Sequence, residues 1–169
     1  MGSIGAMREE ATGKTGVPSP TRLKPERPRD ALGRPLPWGV ETQLHLPDFD
    51  AMTLEENHEA GRRLAGEGNW FGAHEAWETA WKQARGTGDE EFFKGLSQMG
   101  AGYVHLLRGN AHGTQTLLLR GAGRIAAYPD PHLGIATARL ANQLGSLAAQ
   151  VAEGRVVPGE GATFPRPAV

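Results

Sequence analysis

The sequence contains no cysteine, which excludes disulfide bridges, thiolate metal centres and cysteine nucleophiles. It also lacks any apolar run approaching the ~20 residues that a membrane-spanning helix needs. Residues 1–13 do not have the apolar stretch that a secretory signal peptide requires. We therefore expect a cytoplasmic protein that does not enter a membrane.

A strong excess of charge of either sign is missing too. The chain has 18 Lys and Arg against 19 Asp and Glu, so its net charge is −1. Nucleic-acid binding depends on a basic surface that neutralises phosphates, and we expect no nucleic-acid partner. The composition, 38% hydrophobic and 22% charged, is instead typical of one globular domain.

The two ends of the chain are rich in proline and poor in large apolar residues. Such segments cannot bury enough surface to offset the entropy lost on ordering. We predict a Pro-rich extended or disordered tail over 1–47, a helical bundle domain over 48–153 and a loose C-terminal tail over 154–169. Trp38 is the exception in the first tail. We expect it to tuck against the domain, and a docking peptide for a partner is the alternative.

Helical periodicity predicts five helices between the tails. The first begins at a capping box that Thr53 and Glu56 form, and it ends near Glu67. The others are expected over about 70–85, 90–108, 110–128 and 133–153, because Gly, Asn and Pro separate them. Connections of two to five residues imply antiparallel neighbours. The predicted fold is all-α, a compact bundle of about five mostly antiparallel helices with extended N- and C-terminal tails.

A group of polar side chains marks the second predicted helix. His74 and Glu78 lie one turn apart, and Glu75 neighbours both. Because three tryptophans share this stripe, we expect His74 and Glu78 to point into the bundle. In an antiparallel register, position 74 faces about position 100 of the third helix. Gln98 and His105 would then lie within about one helical turn (~5 Å) of His74. The prediction is a buried His–Glu–Gln–His network.

These motifs resemble the domain-of-unknown-function family 309 (DUF309) in their order along the chain. The resemblance covers about residues 54–145. It rests on Phe71, Ala73–Glu78, Trp81, Gly95–Gln98, Tyr103–His105 and Arg108–Gly113. It implies a small bacterial helical protein, and it implies no activity, because none is established for the family. The chain departs from the family pattern in two ways. Trp77 replaces a branched aliphatic residue, and Gly100 and Gly102 lie in a helix that is usually richer in Ala and Val.

In the leading functional hypothesis, the polar cluster has a structural role. Buried polar groups must be paired, and a paired network would fix which helix faces which. The protein would then be a non-catalytic interaction or structural module, acting through an unknown protein partner or as a homodimer. No cofactor is expected in this case.

The alternative hypothesis is a metal-dependent or acid–base hydrolase. Its candidate residues are His74, Glu75, Glu78, Gln98 and His105. His74, Glu78 and His105 would suit zinc or iron, with Glu75 placed as a general base. However, a zincin helix has a second histidine where this chain has Glu78. Without a metal, His74 could act as a base that Glu78 orients, but Ser97 lies about 100° around the helix from Gln98.

Glycines in the third and fourth predicted helices need a separate explanation. Each costs roughly 0.5–1 kcal/mol relative to alanine inside a helix. Either the two helices approach each other closely, or small residues leave a pocket above Gln98. We expect the close approach at these positions: Gly95, Gly100, Gly102, Gly121 and Gly123.

Overall fold

The computed structural model describes residues 26–169, and five α-helices form its body. A short 3-10 helix, Phe49–Ala51, precedes them. The helices are α1 (Leu54–Glu67), α2 (Trp70–Gln83), α3 (Glu90–Leu107), α4 (Ala111–Ile125) and α5 (Thr137–Ala152). Only two isolated β-bridges occur within 26–169. The predicted all-α bundle is confirmed. No helix in this part of the chain combines the length and the apolar character that crossing a bilayer requires.

Side-chain caps begin three of the five helices. Thr53 Oγ1 accepts the backbone N–H of Glu56 at 3.2 Å, and the Glu56 carboxylate accepts that of Thr53 at 2.8 Å. Asn69 and Asn110 each accept a backbone N–H three residues on, at 2.9 Å. These bonds satisfy amides that lack partners within the helix, so they fix the starts of α1, α2 and α4.

The α4–α5 connection is longer than predicted. Helix α4 ends at Ile125 rather than near residue 128, and α5 begins at Thr137 rather than near 133. Residues 132 and 135 exchange two backbone hydrogen bonds of 2.9 Å across Leu133 and Gly134. Both of these central residues have positive φ, 44° and 79°. Such a tight turn is incompatible with helical backbone, so α5 starts only after it.

Helices α3 and α4 approach each other through glycine. A Cβ built on Gly121 would lie 2.9 Å from the Gly95 carbonyl oxygen, and one on Gly102 would lie 2.7 Å from the Leu118 side chain. The expected close approach is confirmed at these positions. It is wrong at Gly123, which has no other group within 4 Å of such a Cβ, and at Gly100, where the Cβ would meet His74 of α2 rather than α4.

The antiparallel register of α2 and α3 also agrees with the prediction. A Cβ on Gly100 would lie 2.9 Å from the backbone nitrogen and Cα of His74. Six residues closer to the start of α3, Lys94 Nζ lies 5.0 Å from the centre of the Trp81 ring. Positions 74 and 81 of α2 therefore face positions 100 and 94 of α3, which is the order that antiparallel helices require.

Trp77 is the largest fully buried side chain of the core. A Cβ on Gly61 of α1 would lie 2.5 Å from the Trp77 ring, so the indole occupies the space that a side chain at position 61 would need. Its Nε1–H donates to His58 Nδ1 at 3.2 Å. His58 Nε2 in turn lies 2.9 Å from the Leu133 carbonyl oxygen, to which it donates.

These contacts of His58 predict that acid destabilises the fold. Burial lowers the pKa of His58, and the nearby Arg62 adds to the lowering, while the Leu133 carbonyl opposes it. As the pH falls below about 6.5, the unfolded chain takes up the proton before the folded chain does. Stability that is fully present above this pH is therefore lost as the solution is acidified.

We expect His58→Gln to reduce this acid sensitivity. Glutamine keeps a donor for the Leu133 carbonyl but cannot titrate. Melting temperatures of the two proteins, compared between neutral pH and about pH 5, should show a smaller decrease in the variant. Equal decreases would contradict the assignment of the acid sensitivity to His58.

The segment before the helices lies along the bundle. Gly33 has a φ of 76° and packs on the Phe71 ring so closely that a Cβ would lie 2.2 Å from it. The Arg108 guanidinium donates to the Leu32 carbonyl. Trp38, however, is 62% exposed, so the expectation that it tucks against the domain is wrong.

The segment after α5 also contacts the helices. Arg166 Nη1 donates to the Gly66 carbonyl at 2.7 Å, and the Phe164 ring lies 5.3 Å from that of Tyr103, measured between ring centres. Neither this segment nor residues 26–48 contain a helix or strand. The predicted division of the chain at residues 47 and 153 stays a prediction.

Candidate functional site

The His74 side chain of α2 is anchored on α3. The missing side chain at Gly100 lets the α3 backbone approach the His74 backbone directly. This approach brings His74 Nδ1 to 3.0 Å from the Ser97 carbonyl oxygen and 3.1 Å from Ser97 Oγ. A backbone carbonyl can only accept a hydrogen bond, so this contact favours a proton on Nδ1. The other nitrogen, Nε2, then points away from α3.

Two carboxylates of α2 lie on the side to which Nε2 points. Glu78 Oε2 is 3.4 Å from Nε2, and Glu75 Oε1 is 3.9 Å from it. The second Glu78 oxygen pairs with Lys82 Nζ at 2.9 Å. One imidazole and two carboxylates thus form a cluster, His74–Glu75–Glu78, in which one ligand atom from each residue lies within 4.8 Å of the others.

The cluster is open to solvent rather than buried. The exposed side-chain fractions are 24% for His74, 30% for Glu78 and 39% for Glu75. Glu75 also lines a cleft of about 1020 Å³ between residues 26–50 and α2. The predicted burial of a polar network is therefore wrong. The stripe that includes Trp77 does face the core, but positions 74, 75 and 78 lie at the edge of that stripe.

Gln98 and His105 do not join the cluster. Gln98 Oε1 is buried and has no hydrogen-bond partner among the described residues. His105 Nδ1 lies 2.9 Å from the amide nitrogen of Asn110, which donates to it. Burial lowers the pKa of His105, and the charge of Arg108 adds to the effect. The expected four-residue convergence is wrong, and the metal ligand set that included His105 is not assembled.

Ser97 and Lys82 are the partners that sequence reasoning missed. A usable signal was present for Ser97, because it lies three residues before Gly100 and so shares its helix face. Since position 74 is predicted to face position 100, a residue at position 97 is close enough to contact His74 as well. Lys82 lies four residues after Glu78, the spacing of a helical ion pair.

These features define a class of protein: a small all-helical bundle with a partly exposed histidine–carboxylate cluster on its second helix. The cluster lies inside the part of the chain, residues 58–117, that matches the family model described as "Domain of unknown function (DUF309)". This match confirms the resemblance to the DUF309 family that the sequence motifs indicate. No curated protein and no solved structure matches the chain.

Proposed function

We propose that the domain is a non-catalytic interaction module that binds a protein partner through an exposed turn at Trp38. The observation that supports this proposal is the 62% exposure of the Trp38 side chain, next to the exposed Val40. Tryptophan is enriched among the residues that contribute most to protein–protein binding, because it buries a large rigid surface. We also propose a cytoplasmic location, which fractionation of cells containing the tagged chain tests.

The chain before this turn is anchored, so the indole is presented on a fixed base. The Asp30 carboxylate accepts the backbone N–H groups of Leu32 and Arg34, at 3.0 and 2.8 Å. It also pairs with the Arg34 guanidinium, whose other end binds Glu160 near the C-terminus. Burial alone would raise the pKa of Asp30, but the bonds from Arg34 and the backbone outweigh it, and the pKa is lowered.

The hydrolase alternative has less support from the site geometry. Ser97, His74 and Glu78 are in sequential contact, an order that is reminiscent of a serine hydrolase triad. However, Ser97 is only 4% exposed, so a substrate carbonyl has no path to its hydroxyl. The surrounding α3 amides are engaged in helical hydrogen bonds, so they cannot stabilise an oxyanion.

The proposal predicts that Trp38→Ala weakens partner binding by about 30-fold, which corresponds to about 2 kcal/mol. Selection of a displayed library of protein fragments against the immobilised full chain would supply fragments that bind it. Calorimetry would then give the affinity of each fragment for the parent protein and for Trp38→Ala. Because Trp38 is exposed, the melting temperature should not change. The matched control is Leu119→Ala, which truncates an exposed apolar side chain on α4 and should leave binding unchanged.

Sedimentation velocity of the chain alone identifies the case in which the partner is a second copy. If the chain forms a concentration-dependent dimer that Trp38→Ala abolishes, the proposal is supported and the partner is a second copy of the chain. If the chain is monomeric and every selected fragment binds Trp38→Ala as tightly as the parent protein, the proposal is wrong.

A further inference from the structure

We propose that His74, Glu75 and Glu78 bind a divalent first-row transition-metal ion at the surface of α2. This site is independent of the Trp38 turn, so the two proposals can fail separately. Its geometric basis is the set of ligand atoms within 4.8 Å of one another, one from each of the three side chains. His74 Nε2 lies 3.4 Å from Glu78 Oε2 and 3.9 Å from Glu75 Oε1. Small rotations of the two exposed carboxylates bring all three atoms to the usual metal–ligand distance of about 2.0–2.2 Å from one ion.

The contact between His74 and Ser97 lies outside this ligand set and supports it. Metal-binding histidines donate the second ring N–H to a carbonyl or carboxylate, which fixes the ring and its tautomer. The Ser97 carbonyl is positioned to receive that bond, 3.0 Å from Nδ1. With the proton on Nδ1, the lone pair of Nε2 faces two carboxylates. Three electron-rich groups that face one another are stabilised by a cation between them.

The position of the ring is also fixed by packing. The His74 backbone lies against Gly100, so any rotation or shift of α2 would break a direct helix–helix contact. The Phe71 ring stands edge-on to the imidazole, with 6.3 Å between ring centres. The ligand is thereby oriented before an ion arrives, which lowers the entropy lost on binding. The opposite side of the cluster remains open to water and to the ion.

The donor set selects the class of ion. Imidazole nitrogen suits zinc, iron and similar ions, whereas magnesium and calcium prefer oxygen ligands alone. Three ligands on one helix leave at least one coordination position for water. We therefore expect Zn²⁺ to bind more tightly than Mg²⁺.

Lys82 is the internal competitor of the ion. Its ammonium group occupies one Glu78 oxygen at 2.9 Å and leaves the other oxygen directed toward His74. Because its positive charge repels a second cation, removal of this charge should strengthen metal binding. An exposed pair of this kind contributes about 0.2–1 kcal/mol, so Lys82→Ala should raise the affinity by a factor of about 1.4 to 5.

The test is a calorimetric titration of the full chain with Zn²⁺ and, separately, with Mg²⁺. His74→Gln and Glu78→Gln should each lower the Zn²⁺ affinity at least about tenfold, since loss of even a supporting group at a metal site costs that much. The matched control is His112→Gln, because His112 is an exposed histidine on α4 outside the cluster. Circular dichroism of each variant confirms that it is folded.

Three outcomes would overturn the proposal. One is no Zn²⁺ binding by the parent protein, and another is equal affinities in the parent and both glutamine variants. The third is weaker or unchanged binding in Lys82→Ala when that variant is folded. If His74→Gln does not fold, Glu78→Gln and Lys82→Ala still decide the matter, because they change the affinity in opposite directions.

Discussion

Gly61→Ala is expected to destabilise the domain, whereas the same substitution in a Trp77→Leu background is expected to stabilise it. In the parent protein the new Cβ would lie 2.5 Å from the indole, and overpacking of this kind costs about 1–3 kcal/mol. In the second background the smaller leucine leaves room for the methyl group. Alanine in place of a helical glycine then contributes roughly 0.5–1 kcal/mol to stability.

Chemical denaturation of the four proteins of this cycle measures the coupling between the two positions. We expect a coupling energy of roughly 2–3 kcal/mol. Trp77→Leu alone should be destabilising, because it leaves a cavity and removes the donor to His58. The control is Gly66→Ala, also on α1, where nothing lies within 4 Å of a new Cβ and both backgrounds should gain stability. Additive effects at positions 61 and 77 would contradict the packing described for Trp77.

Gly100→Ala and Gly123→Ala should change the stability in opposite directions, although both replace a glycine inside a helix. At position 100 the new Cβ would lie 2.9 Å from the His74 backbone, which cannot rotate away as a side chain can. Helices α2 and α3 must then separate, at a cost of about 1–3 kcal/mol that exceeds the gain in helix propensity. At position 123 only that gain of about 0.5–1 kcal/mol remains.

Urea denaturation of the parent and of these two variants gives the change in the free energy of unfolding that each substitution causes. The midpoint should shift down for Gly100→Ala and up for Gly123→Ala, with similar slopes. If Gly100→Ala is as stable as Gly123→Ala, helices α2 and α3 do not approach each other at position 100. The anchoring of His74 on Ser97 would then lose its basis.

Local sequence signals predicted most of the fold. The capping box at Thr53 acts within one helical turn, so the sequence alone identifies it. The end of α4 and the start of α5 could not be placed in this way. They depend on the turn at Leu133 and Gly134, and a leucine with positive φ has no local sequence signature.

The candidate site was predicted only in part. The helix period correctly placed His74, Glu75 and Glu78 on neighbouring positions of one helix, since spacing within a helix is fixed. Whether they are buried depends on how the helices rotate about their axes, which the period does not determine. Adjacent residues lie about 100° apart around a helix, and this angle separates the predicted contact with Gln98 from the observed contact with Ser97. Glycine at position 100 reflects how closely α3 approaches His74, but the prediction assigned this glycine to the approach of α3 and α4.

The central claim is that α3 fixes the His74 ring through the Ser97 carbonyl and directs Nε2 toward the two carboxylates. Nitrogen-15 NMR of the histidine rings, with His74→Gln used to assign the signals, tests this claim most directly. The geometry predicts a proton on Nδ1 of His74 and, when Zn²⁺ is added, a change confined mainly to the Nε2 resonance. A ring whose Nδ1 carries no proton and accepts from the Ser97 hydroxyl would contradict it.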